Sequence, residues 1–129
     1  MTIPYLCILI AALLPYVWVT IAKAGGERYD NRDPRAWLAR QDDARSHRAN
    51  AAQLNGFETF PAFAAAVLMA QFANVDHGRI TWLAIGFVVF RVLHGVFYVG
   101  NKHQFRSLSW FAGLFCVLGL MGMAIAHVG

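Results

Sequence analysis

From Ile3 to Ala22 the chain carries no charged residue, and from Ser107 to Val128 again none. Between Ile80 and Gly100 only Arg91 interrupts an otherwise uncharged run. Apolar stretches of about 18 residues or more have the length of a membrane span. Inside a bilayer no water can satisfy the peptide groups, so such stretches must be helical. A fourth long stretch, from about 44 to 73, opens polar and turns apolar after Glu58. The connections "NVDHGR" and "NKHQFR" are only a few residues long, which makes their flanking helices antiparallel neighbours. The expectation is therefore an all-α, up-down four-helix bundle in a membrane. It forms one domain over 1–129, with spans at about 3–22, 44–73, 80–100 and 107–128.

Composition agrees. Of the 129 residues, 58% are hydrophobic and 14% charged, more apolar surface than one water-soluble domain of this size can hide. The charges are also clumped, since seven of the eleven Lys and Arg lie between Lys23 and Arg48. The side holding the first and third loops carries Lys23, Arg28, Arg32, Arg35, Arg40, Arg45, Arg48, Lys102 and Arg106, and the other side only Arg79. By the positive-inside rule both loops face the cytoplasm and both termini the periplasm. The net charge of +4 is then a topology signal. No basic stripe interleaved with aromatics points to nucleic acid. "AKA" at 22–24 imitates a signal-peptide cleavage site, but no basic residue precedes the apolar run, so it is expected to stay as a span. Cys7 and Cys116 share no CxxC spacing and are expected to be small buried residues.

In the first loop, "NRDPRAWLAR" offers Asp33 as a helix N-cap and Pro34 as the first helical residue. The short helix that follows would lay Arg35, Trp37 and Arg40 on the membrane surface, and could run on into the second long helix. That long helix, roughly 45 Å at about 1.5 Å per residue, exceeds the bilayer, so its polar first third should emerge into the cytoplasm. Pro61 is expected to kink it. Ala62, Ala64, Ala65, Ala66, Ala70 and Ala73 permit close helix approach in lipid.

Two polar stripes carry chemistry. Arg48, Asn55 and Glu58 share one face of the second long helix, with Gln53 offset at a similar level; Arg91, His94 and Tyr98 share one face of the third. Arg106 and Ser107 open the fourth at the same surface. Ionisable groups in a span are costly and mark function by default. The bland alternative is a buried Glu58–Arg91 ion pair with Asn55 bonding between helices. A metal site from Glu58, His94 and His103 lacks Glu-x-x-His spacing, so no metal is expected. Several cations facing one carboxylate suit a ligand that bears carboxylates and an amine, such as a zwitterionic peptide. A positive charge at Arg106 would favour a thiolate over a thiol.

The pattern R-A-x-A-A-Q-L-N-x-x-E-x-x-P-x-F from Arg48, followed by R-x-x-H-x-x-x-Y from Arg91 and R-S-L-x-W from Arg106, resembles the MAPEG family, the membrane-associated proteins in eicosanoid and glutathione metabolism. The likeness runs from about Arg45 to the end and is to the short bacterial branch. It implies a homotrimer in the inner membrane, with glutathione bound as co-substrate between subunits near the cytoplasmic face. It further implies that Arg48, Gln53, Asn55, Glu58, Arg91, His94 and Tyr98 belong to the binding site, and that Arg106 and Ser107 activate the thiol. Ala51 stands where many members have a second arginine, and Trp110 where some have tyrosine. The activity implied is that of a transferase or peroxidase acting on a lipid-soluble electrophile. Alternatives are a non-enzymatic accessory or binding subunit of a membrane complex, and a site for a quinone or lipid head group.

Overall fold

The computed structural model describes residues 1–25 and 28–129. They form five helices: α1 Thr2–Ala24, α2 Pro34–Arg40, α3 Ala44–Phe72, α4 His77–Val99 and α5 His103–Val128. Among the described residues there is no strand. The protein is thus an all-helical membrane bundle. Helices α1, α4 and α5 are each long and apolar enough to cross a bilayer. Helix α3 does not reach the same apolarity, because its first third is polar and Asn55, Glu58 and Gln71 interrupt the rest. It packs instead against α1, α4 and α5, so its apolar stripe is the spine of the molecule. Phe63, Ala66, Val67 and Ala70 are fully buried there, and the Phe63 ring stacks on Phe87 of α4 at 3.9 Å between centroids. Gln71 is satisfied by α1, accepting from the Tyr5 hydroxyl at 2.5 Å. The helix is continuous through Pro61.

Both tight reversals have the same physical basis. At the end of α3, Val75 N–H donates to Ala70 O at 3.0 Å and Asn74 N–H to Gln71 O at 3.1 Å. At the end of α4, Lys102 N–H donates to Phe97 O at 2.8 Å and Asn101 N–H to Tyr98 O at 3.2 Å. These paired bonds are Schellman caps, which need a left-handed residue. Asn74 (φ 61°) and Asn101 (φ 60°) supply it, asparagine being one of few residues that tolerate that region. Asp76 then caps α4, accepting from Arg79 N–H at 3.1 Å.

The first loop folds back on the bundle. Asp33 accepts from Ala36 N–H at 3.2 Å and Pro34 begins α2, as the sequence suggests. However, α2 ends at Arg40 and does not continue into α3. Trp37 is buried instead of lying on a membrane surface, because its indole N–H finds the Arg28 carbonyl at 2.9 Å. Ser46 ties the start of α3 to the end of α1 by donating to Ala22 O at 2.7 Å. Cys7 and Cys116 are both buried free thiols.

Helix α1 approaches α4 closely at one point. The Trp18 indole lies over Gly95, where an added Cβ would come within 2.0 Å of its ring. Overpacking of this kind typically costs about 1–3 kcal/mol. Gly95→Ala is therefore expected to lower the melting temperature in detergent, and Gly95→Ala combined with Trp18→Leu to recover part of the loss.

Candidate functional site

The α1, α2 and α3 junction, the end of α4 and the start of α5 all meet at one end of the bundle, and the polar stripes converge there. Helix α3 is anchored to the end of α4 by Arg48, whose Nε donates to Val99 O at 3.1 Å. About two turns deeper, Arg91 Nη2 of α4 donates to Asn55 Oδ1 of α3 at 2.8 Å. Arg91 is only 5% exposed. A charged-group hydrogen bond of this kind contributes about 1.5–3 kcal/mol, and here it joins two helices inside the bundle.

The Glu58–Arg91 ion pair of the bland alternative does not form. Among the described residues the only ion pair is Arg32–Asp30 on the surface loop, at 2.8 Å. The reason is helical geometry. Glu58 lies about 60° round α3 from Asn55 at 3.6 residues per turn, which turns its carboxylate to the exposed face. Asn55 takes the place in front of Arg91.

The sequence-expected site residues sort into three groups. Asn55, His94, Tyr98, Arg106 and Ser107 line one cavity of about 230 Å³, closed by Trp110 and Phe111. Glu58 and Arg91 line an adjoining cavity of about 200 Å³, which shares Trp110 as a wall. Gln53 faces a separate groove of about 440 Å³ between α1, α2 and α3, with Lys23, Arg35 and His47 at its polar rim. Arg48 lines none of the three and serves as the α3–α4 anchor. Sequence reasoning missed Trp110 as the wall shared by the two cavities. Its signal was present: Trp110 follows Arg106 by four residues, hence on the same helical face.

In the first cavity the guanidinium of Arg106 sits 4.4 Å from the centre of the Tyr98 ring, within cation–π range. Tyr98 in turn meets His94 edge to face at 5.5 Å. His94 is 3% exposed, and its Nδ1 is the one buried side-chain nitrogen or oxygen without a hydrogen-bond partner among the described residues. A buried polar atom left unsatisfied costs about 1–3 kcal/mol. Helix α5 begins without a side-chain cap, which leaves its first-turn N–H groups without a side-chain partner and the positive end of its dipole at this end of the bundle. Among the described residues no three His, Cys, Asp or Glu side chains cluster to hold a metal.

A helical membrane protein with a cationic, donor-rich cavity at one end of the bundle is the class that these features define. The sequence profile of the MAPEG family matches residues 3–126. The chain belongs to the MAPEG family, and so to a group of membrane proteins related to glutathione and eicosanoid metabolism. No curated protein matches it significantly.

Stranding the buried guanidinium should be worse than removing it. Leaving a buried polar group without its partner costs about 1–3 kcal/mol, and more for a charged one, whereas an apolar replacement of a buried ion is often neutral or stabilising. Asn55→Ala is thus expected to lower the melting temperature more than Arg91→Met does. Thermal unfolding of both variants in one detergent checks the order.

Proposed function

We propose that the protein is a glutathione-dependent transferase or peroxidase acting on a lipid-soluble electrophile, as a homotrimer in a bacterial inner membrane. The observation that carries this reading is the meeting of Arg106, Ser107, Tyr98, His94 and Asn55 in one cavity of a MAPEG-family chain. A tripeptide thiol offers what that cavity lacks, namely negative charge for Arg106. The Arg106 charge would hold the sulfur as thiolate, with the α5 N-terminus adding a smaller push. Ser107 would donate to the same sulfur. Glu58 would take the peptide's amine. The electrophile would enter sideways from the lipid.

Two features support the trimer. The cavity, at about 230 Å³, is smaller than the roughly 300–1,000 Å³ of ordinary ligand pockets, so a neighbouring copy would complete it. Helix α3 also carries an exposed face with Ala62, Ala65, Leu68, Met69 and Phe72, where the small residues permit close contact. The charge bias favours a topology with both termini in the periplasm and the α2 side in the cytoplasm. A reporter active only in the cytoplasm should be silent when fused at Gly129.

The engagement of Arg48 and Asn55 in interhelical hydrogen bonds favours a second reading, an accessory or binding subunit in which the polar cluster is structural. Glutathione decides between them. It is expected to raise the melting temperature of the purified protein. Glu58→Gln should weaken binding by about 1.5–3 kcal/mol, the value of a charged hydrogen bond, or roughly ten- to hundred-fold in affinity. Arg106→Ala should keep the fold yet lose the thiolate absorbance of bound glutathione near neutral pH. No binding to the wild type at millimolar glutathione would put the accessory reading first.

A further inference from the structure

Arg106 is the cation on which the transferase reading depends, and among the described residues no carboxylate holds it. The only ion pair there is Arg32–Asp30, and the one attractive polar contact of the Arg106 guanidinium is with the face of the Tyr98 ring. A long arginine side chain without a partner spreads its charge over many rotamers. The ring, by contrast, is fixed. Asn101 N–H donates to Tyr98 O within the cap of α4, so the Tyr98 backbone is locked where the chain reverses. His94, one turn earlier, packs against the ring edge to face. Beyond the reversal, Arg106 N–H donates to Lys102 O at 2.9 Å in the first turn of α5. Phe97 and Phe105, the residues just before Tyr98 and Arg106, bring their rings to 5.3 Å between centroids. The end of α4 and the start of α5 are thereby held together, and Tyr98 and Arg106 with them.

Chemistry explains why a ring serves here better than an acid. A carboxylate beside Arg106 would fix the guanidinium but offset its charge, and would repel a thiolate brought near it. The ionisable side chains lining this cavity are His94 and Tyr98 from α4 and Arg106 from α5, while α3 contributes Asn55 and no carboxylate. A neutral aromatic face attracts a cation through its quadrupole and leaves the net charge of the site unchanged. We propose that Tyr98 is a positioning residue, which holds the Arg106 guanidinium by its ring face so that the ring, not the hydroxyl, sets how well Arg106 stabilises a bound thiolate. This role rests on the glutathione reading above and adds to it the group that aims its cation.

The test follows the thiolate absorbance of bound glutathione against pH, with the full-length protein in detergent. Tyr98→Leu removes the ring and is expected to raise the thiol pKa by about 0.5–1.5 pH units, the equivalent of a cation–π contact in a partly desolvated site. Tyr98→Phe keeps the ring face and should shift it by less than half as much. Phenylalanine carrying one, two or three ring fluorines at position 98 keeps the shape but weakens the negative face, and should raise the thiol pKa stepwise. That series stands even if Tyr98→Leu fails to fold. In an Arg106→Gln background, removing the ring should add no further shift, as expected when one residue acts only through the other. A thiol pKa that is flat across the fluorine series, or that rises as far in Tyr98→Phe as in Tyr98→Leu, would overturn the role of the ring while leaving the transferase reading in place. Absence of glutathione binding to the wild type would overturn both.

Discussion

A single amide oxygen holds a guanidinium inside this bundle. The Asn55–Arg91 hydrogen bond fixes the rotation and the depth of α3 against α4, and the placement of every other polar group follows from that. With Asn55 turned towards α4, Glu58 is carried to the exposed face. With Arg91 held in place, His94 and Tyr98, one and two turns further along α4, open onto the cavity at the head of α5. In an apolar medium a charged group without partners is far more costly than in water. The register of the two helices is therefore set by polar contact as much as by packing, and the Phe63–Phe87 stack below reinforces the same alignment.

The architecture was legible because lipid leaves the backbone few options. Uncharged runs imposed helices, and short connections imposed antiparallel neighbours. The helix ends differ by a few residues from those expected, for a local reason. Asn74 and Asn101 adopt left-handed caps that stop one helix and start the next within four residues, and an asparagine in an apolar sequence does not by itself announce a Schellman motif. The fate of Trp37 was hidden for another reason. An aromatic residue next to arginines suits a membrane surface equally well, and only tertiary structure reveals that the Arg28 carbonyl lies within reach of its indole.

The site was legible as a level in the membrane but not as a set of partners. In the structure Asn55, His94, Tyr98, Arg106 and Ser107 line one cavity, since all lie near the same end of their helices. Spacing could not say which of Asn55 and Glu58 would face Arg91. The two lie only about 60° apart on α3, within the reach of either side chain, and the choice depends on how α3 is rotated against α4. Nor could it show that Trp110 would stand between two cavities.

Gln53 carries the argument one step further. Two residues before Asn55, it lies about 200° away on the same helix at 3.6 residues per turn. Within one chain the two side chains point to opposite sides, and Gln53 indeed faces the groove rimmed by Lys23 and Arg35. No ligand smaller than the helix itself can touch both from a single copy. If Gln53 and Asn55 serve one glutathione, as the MAPEG resemblance implies, two chains must supply them, each contributing a different face of its α3. The same arrangement would set Lys23 and Arg35 of one chain towards Arg106 of the next, and such a concentration of positive charge needs an anionic ligand to offset it. Under the proposed function, then, ligand and assembly are coupled: glutathione would bind the trimer more tightly than a separated chain, and by linkage would hold the trimer together.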